Sequence, residues 1–266
     1  MVNIAVAIKH VPADDDVRVS KKTGQPVVDL TEGRMNPLGR RALETGLRLS
    51  KQDPASEVTA VSLGPEEAEP TVREALAMGA DRGVLVADPL LEESTGLATA
   101  KALASTVRSL GDIDVVIAGA RTTDRFAGHV GPAMAALLGF SIATHARSAG
   151  IDGEDLLVEK QRRDGTATRL QVPTPCLVSV GPQSPDPRHA TTWGVHAAFA
   201  QDALERWSIA DLDVSPDELG PGAAATTQEN VEPVAEKERE TEIFDGEAED
   251  TAESLQRRLN SRGLLR

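Results

Sequence analysis

Apolar positions over residues 1–140 come in short unbroken runs of buried-strand type: NIAVAI (3–8), EVTAVSL (57–63), RGVLVA (82–87) and DVVIAG (114–119). Helical patterns lie between them. In LGRRALETGLRLS (38–50), Ala42, Leu43, Gly46, Leu47 and Leu49 share one broad face, and PTVREALAMG (70–79) opens on Pro and closes on Gly. TGLATAKALASTVRSLG (95–111) is Ala-rich and also stops at Gly. Strands alternating with helices predict right-handed crossovers and a mostly parallel sheet covered on both faces, a three-layer α/β fold.

The pattern changes after residue 140. Residues 142–172 carry the turn signals AGIDGED and RRDG between alternating segments, which predicts antiparallel hairpins. TPCLVSVGP (174–182) then returns to a buried strand. Residues 211–247 are rich in Asp, Glu, Pro, Gly, Ala and Thr and read as an extended arm. Beyond it, Ala252, Leu255 and Leu259 recur at helical spacing before Gly263. The expected organisation is an α/β domain with a hairpin addition over 1–210, then an acidic arm and terminal helix over 211–266. A lone amphipathic helix beyond a polar arm needs a surface to pack on, which points to a partner chain.

With 28 Lys and Arg against 42 Asp and Glu, the net charge is −14. A polyanion would be repelled at long range, so nucleic-acid binding is not expected. The same acidity, with Arg outnumbering Lys and no Tyr, suits a surface adapted to high salt or simply an acidic protein. Cys176 is the only cysteine, so there is neither a disulfide framework nor a thiolate metal cage, and its strand context makes it a core thiol. The apolar stretch before Lys9 is too short for a signal peptide or a membrane span, so a cytoplasmic protein with no direct membrane insertion is expected.

In open parallel sheets, ligands bind beyond the carboxyl ends of the strands. Four loops here occupy such places: Lys9 onward to Met35-Asn36-Pro37, Ser62 to Pro65, Asp88 onward to Thr95 and Thr99, and GARTTDRFAGHVGP (119–132). In the last, Gly128 and Gly131 would let backbone approach a phosphate, and the helix start near Val130 would offer it free N–H groups. A plain tight turn is the alternative. Asp124 reads as a ribose or adenine acceptor or as a turn cap, and His129 as a phosphate or flavin contact or as a surface residue. No GxGxxG follows the first strand, and there is no Walker lysine motif. No histidines have metal-ligand spacing, and no Ser/His/Asp set, Cys/His set or carboxylate pair stands out, so hydrolytic machinery has no candidate.

The runs VAIKHVP, MNPLGRRALETGLRL, VSLGP, REALAMGADRGVLV, the 119–139 stretch, VPTPCLVSVGPQSPDPRH and AESLQRRLNSRG fall in an order that resembles the β subunit of electron-transfer flavoproteins over nearly the whole chain. That resemblance implies an α/β fold of adenine-nucleotide-binding type. It also implies a heterodimer with an α subunit that holds most of the redox FAD, and AMP or a second FAD in the β subunit. The site residues it implies are Ala7, Asn36, Pro37, Leu38, Gly39, Leu63, Gly119, Asp124, Gly128, His129, Val130 and Gly131. AMP-type members usually show Asn-Gln-Thr-Gly at 128–131. The VGP ending and Leu97-Ala98-Thr99 are more similar to second-flavin members, and His129 stands where either type has Gln. The family's acidic signature is eroded at Thr166-Ala167-Thr168. Its lysine-rich docking segment is matched by ATTWGVHAAFAQ (190–201), with Trp193 as an apolar anchor or a buried residue. The implied function is an electron carrier, not an enzyme, passing electrons from flavin dehydrogenases to a quinone reductase. An electron-bifurcating β subunit, or a stand-alone nucleotide-binding regulator of stress-protein type, are the alternatives.

Overall fold

The computed structural model describes residues 2–13, 17–19, 26–28, 30–91, 94, 96–162, 164–200, 203–220, 223 and 241–265. Thr95 and, within the predicted arm, residues 221–222 and 224–240 lie outside them. The chain opens with β1 (Asn3–Ile8), and a long excursion follows that carries β2 (His10–Val11), β3 (Val17–Val19), β4 (Pro26–Val28) and β5 (Arg34–Met35). Next come α1 (Pro37–Ser50), β6 (Glu57–Leu63), α2 (Glu69–Met78), β7 (Arg82–Val86), α3 (Leu97–Ser109), β8 (Val115–Gly119) and α4 (Val130–Leu138). The hairpin region is β9 (Ser141–Asp152), β10 (Asp155–Gln161) and β11 (Ala167–Pro173), after which come β12 (Cys176–Val180), α5 (Thr192–Ala200), β13 (Leu204–Trp207) and α6 (Ala248–Ser261).

Among the described residues, nine strands form one sheet in the order β11-β10-β9-β12-β8-β1-β6-β7-β13. From β9 across to β13 every neighbouring pair is parallel, while β10 runs antiparallel to β9 and β11. The fold is therefore the expected mostly parallel α/β sheet with a hairpin addition. β9 does two jobs along its twelve residues. Its start pairs parallel with β12, and its later part pairs antiparallel with β10. The register shifts there, at His145, whose φ is +56° and whose N–H donates to Ser179 Oγ at 3.2 Å. Such a bulge bends a strand and lets it serve two partners.

Strand periodicity splits the core. Ile4, Val6 and Ile8 point to the face covered by α1 and α2, where they join Leu43, Leu47, Val72, Val115, Ile117, Cys176 and Val178. Ala5, Val61, Val116 and Leu177 point to the other face, against Ala100, Leu103 and Val107 of α3 and Met134 and Ala135 of α4. Burial on both faces is why these strands read as continuous apolar runs. α5 packs on α2 as an outer helix. Past residue 210, Leu212 and Leu219 are buried against Val84, Val86, Leu91 and Ala102.

The chain divides into two compact units, Met1–Val231 and Glu232–Arg266. The second is built on α6, which ends in a turn at Gly263 (φ +67°) with Leu264 N–H donating to Leu259 O at 3.0 Å. Arg258 Nε reaches Glu242 Oε2 at 2.7 Å within that unit. Among the described residues, no helix is long and apolar enough to cross a membrane.

Candidate functional site

β6 and β7 lie on one side of β1, and β8 returns on the other, so strand order reverses between β1 and β8. Main-chain groups diverge at such a switch point and leave a crevice beyond the strand ends. Ala7 and Ile8 end β1 there, Gly119 ends β8, and Leu63 ends β6 one strand over, where Ile8 is registered with Ser62. The excursion returns to this crevice because Asn36 N–H donates to Lys9 O at 2.8 Å.

Asn36 is the hinge of the arrangement. It sits before α1, a position where an Asn side chain commonly caps the first turn. It makes no cap here. Instead its amide, in a residue only 2% exposed, donates from Nδ2 to Arg121 O and accepts Thr123 N–H at Oδ1, both at 3.1 Å. The amide is spent on holding the loop after β8, so the first-turn N–H groups beyond Pro37 stay uncapped. α3 and α4 also begin with no side-chain cap, at Gly96 and His129. Free N–H groups and the positive dipole ends of three helices thus face the carboxyl edge of the sheet.

Close approach dictates the small residues. A Cβ on Gly119 would stand 2.9 Å from Leu38 Cβ and 3.0 Å from Leu38 C, so β8 and the start of α1 can meet only with glycine there. A Cβ on Gly128 would stand 3.0 Å from Ala120 O, the point where the loop closes on itself. Gly39 and Gly131 have ordinary room: the nearest atoms are Ile8 Cα at 3.7 Å for the first and Leu177 Cδ2 at 3.5 Å for the second. Asp124 forms an ion pair with Lys9 across the crevice. Burial pushes the Asp124 carboxyl up, but the Lys9 ammonium, together with hydrogen bonds from the Thr122 hydroxyl and the Arg125 backbone N–H, outweighs it and leaves the group below the usual carboxylate range. The His129 imidazole extends to Gly96.

Residues 27–212 match the electron transfer flavoprotein domain model. A β subunit of an electron transfer flavoprotein from Thermoanaerobacterium thermosaccharolyticum is 32% identical over 99% of this chain and all of the relative. The chain belongs to the electron transfer flavoprotein β-subunit family. Other members of similar likeness are a caffeyl-CoA reductase-Etf complex subunit CarD from Acetobacterium woodii, 30% identical over 84% of each chain, and protein FixA from Azorhizobium caulinodans, 36% identical over 80% of this chain and 77% of the relative.

Family members are flavoproteins, and the crevice residues suit an adenine nucleotide. Ser62 Oγ, near the end of β6, and Ser94 Oγ, on the loop after β7, are buried without a protein partner at the carboxyl edge of the sheet. Buried hydroxyls in that state call for a hydrogen-bonding guest. Together with the uncapped helix starts they fit a phosphate and a ribose. The groups that could hold a metal are lacking: no cluster of three or more His, Cys, Asp or Glu occurs among the described residues. Burial pushes the Cys176 thiol up to about 12, which leaves it inert as a nucleophile.

Of the twelve residues singled out from the sequence, Ala7, Asn36 to Gly39, Gly119, Asp124 and Gly128 to Gly131 gather around the ends of β1 and β8, with Leu63 beside them. Lys9, Ser62, Ser94 and Thr122 also join the crevice and were not singled out as site residues. Nothing local marks them, because each is an ordinary polar residue made special only by the neighbours that folding brings to it.

Within ATTWGVHAAFAQ (190–201), residues Thr192–Ala200 form the helix α5. α5 leaves Trp193 81% and Phe199 68% exposed, with Trp193 and His196 stacked at 5.9 Å between ring centroids. Its seat is tight: a Cβ on Gly194 would lie 2.2 Å from Ala77 O, Arg73 Nη1 donates to Ala198 O at 2.7 Å, and the Arg73 guanidinium lies 4.7 Å from the Phe199 ring centroid. The loop leading into α5 is clamped to α1. Glu44, 3% exposed, accepts from Arg48 Nε and Arg188 Nε at 2.7 Å each, and Arg41 Nη2 reaches Asp186 Oδ1 at 2.6 Å. Burial opposes the Glu44 charge, but the two guanidiniums overcome it and hold the carboxyl at about 2.

Proposed function

We propose that the chain is the β subunit of a heterodimer that carries electrons from flavin dehydrogenases to a quinone reductase or another acceptor. Its partner is an electron-transfer flavoprotein α subunit, with which it holds an FAD. The flavin supplies the one- and two-electron chemistry, and this chain supplies placement and electrostatics. It is a carrier subunit and makes no bond itself. In its own crevice, Ala7, Asn36, Pro37, Leu38, Gly39, Leu63, Gly119, Asp124, Gly128, His129, Val130 and Gly131 bind an adenine nucleotide, AMP in the first reading. The amides at Gly128–Gly131 take the phosphate, and Asp124, kept ionised by Lys9, accepts from the nucleoside. The observation that supports this is Asn36, whose amide ties the loop after β8 while leaving the helix start uncapped beside it.

Co-expression with the α subunit tests the reading. Acid extraction of the purified heterodimer is expected to release one flavin and one AMP; a complex without either overturns it. A second reading, an electron-bifurcating subunit with a second FAD in the crevice, draws on Leu97-Ala98-Thr99 and on Val130-Gly131-Pro132. Two flavins and no AMP select it. The exposed Trp193 is the proposed anchor for the dehydrogenase, since aromatic side chains in a rigid setting are favoured interface anchors. Residues 211–266 are proposed to embrace the α subunit, so deleting 232–266, which spares the buried Leu219, is expected to weaken the heterodimer while the sheet stays folded.

A further inference from the structure

The excursion between β1 and α1 returns to the crevice along a very short ladder. β2 and β5 share two residue pairs, His10 with Met35 and Val11 with Arg34. Two strands of that length do not hold together by themselves in water, so other contacts must fix the return. Besides the Asn36 N–H on Lys9 O, those contacts centre on His10, which is 6% exposed and takes no part in the crevice chemistry described above.

Side chains alternate along a strand. Lys9 reaches Asp124 in the crevice, and His10, next in line, turns the other way. There its Nδ1 meets Thr71 Oγ1 of α2 at 2.7 Å, and its Nε2 meets Leu30 O at 2.8 Å. A carbonyl only accepts, so Nε2 carries the proton and Nδ1 accepts from the Thr71 hydroxyl. Leu30 O also takes the Gly33 N–H at 3.1 Å, which closes the turn leading into β5. That turn lies directly on the ring: a Cβ on Gly33 would stand 2.2 Å from His10 Nε2. The imidazole is thus a strut from a core helix to the returning limb, with both nitrogens engaged.

Two groups of the crevice hang on this strut. Asn36 follows Met35, the residue registered with His10, and Lys9 precedes His10. Asn36 in turn holds Arg121 O and Thr123 N–H, and Lys9 holds Asp124. We infer that His10 is a positioning residue for nucleotide retention: anchored on Thr71, its Nε2–H bond to Leu30 O sets the returning limb and so places Asn36 and Lys9 against the loop after β8. It acts through those two residues and needs no contact with the ligand. The inference rests on the nucleotide site proposed above and extends it to a residue outside the crevice.

The test uses the heterodimer with its α subunit, loaded with radiolabelled AMP by exchange, and reads the rate at which label is lost into excess unlabelled AMP. His10→Leu keeps the bulk and removes both bonds, and is expected to release AMP at least about tenfold faster than the unaltered protein. His10→Gln puts an amide donor where Nε2 stands, and is expected to bring the rate back to within about threefold of the unaltered protein. His10→Asn reaches only the Nδ1 position, keeps the Thr71 bond alone, and is expected to release AMP as fast as His10→Leu. The flavin shared with the α subunit reports assembly, and Tm reports stability. A His10→Leu heterodimer that holds AMP like the unaltered one overturns the inference, as does a glutamine variant no better than the asparagine variant. The glutamine and asparagine pair decides the matter if His10→Leu fails to assemble. AMP loss that only follows Tm across the variants makes the ring a packing residue and also overturns the inference. An unaltered heterodimer that takes up no AMP overturns the nucleotide site and this inference with it, a result distinct from variants that all retain AMP.

Discussion

The loops after β8 and after β12 leave adjacent parallel strands and return to the same helix, α1, yet they are held by opposite means. The loop after β8 is tied by neutral contacts: the Asn36 amide, the close approach of Gly119 to Leu38 and of Gly128 to Ala120 O, with a single ion pair between Lys9 and Asp124. The loop after β12 is tied by charge, through Arg41, Arg188 and the buried Glu44. Neutral ties leave helix starts and hydroxyls free for a guest. Charged ties fix the loop to α1 and give α5 a firm base. On the proposed reading one loop holds a ligand; the other holds a helix.

Breaking the charged loop is expected to cost most. Glu44→Ala leaves Arg188 and Arg48 without their carboxylate and should destabilise the protein by about 3 kcal/mol, read as a lower Tm in thermal unfolding of the heterodimer. The acid limb carries the same signature. Glu44 binds its proton at about 2 when folded, against an ordinary value of 4.5, so the unfolded chain takes up more protons between those values. Its stabilisation is complete above pH 4.5 and is lost as pH falls toward 2, amounting to up to roughly 3 kcal/mol. Glu44→Gln should flatten that part of the stability profile; an unchanged acid slope would show that the clamp contributes nothing.

The neutral loop should break more gently but with a larger effect on the ligand. Gly119→Ala forces a methyl group to within 3 Å of Leu38 backbone and should cost roughly 1–3 kcal/mol in denaturant unfolding, with loss of retained AMP. Asn36→Ala strands Arg121 O and Thr123 N–H, each accustomed to one buried partner, and should cost about 1–2 kcal/mol and weaken AMP retention around tenfold. Equal losses of AMP from the Glu44 and Asn36 variants would erase the distinction between the two loops. The smallest stability effect belongs to the tip of the charged loop's cargo. Trp193→Ala removes an exposed ring and should change stability by less than about 0.5 kcal/mol, while raising the KM for reduction by a flavin dehydrogenase.

Much of the frame was legible along the chain. β1 and β6 coincide with the runs NIAVAI and EVTAVSL, because strands buried on both faces have no polar alternation to blur their limits. α1 and α2 begin at their prolines to within a residue, since a missing N–H is tolerated only in a first turn. The hairpin over 142–172 was legible from its turns. The double pairing of β9 was not, because it depends on a bulge at His145, and nothing in a single His announces a positive φ. α5 and β13 were also missed. TWGVHAAFA has no polar face to give it helical periodicity, and LERW is too short to declare itself, so both exist through packing on α2 and pairing with β7.

The candidate site divides in the same way. Its glycines, its helix starts and its place beyond strand ends follow from local spacing, since turn chemistry and helix capping act over a few residues. What the tertiary structure decided is which groups meet: Asn36 with a carbonyl 85 positions away, Glu44 with an arginine 144 positions away, and His129 with Gly96. Local sequence dictates the conformation of a segment because its energies are short-ranged. Burial and the ionisation of a carboxylate between two guanidiniums depend on neighbours supplied by the crossovers of the sheet, and those neighbours exist only once the chain has folded.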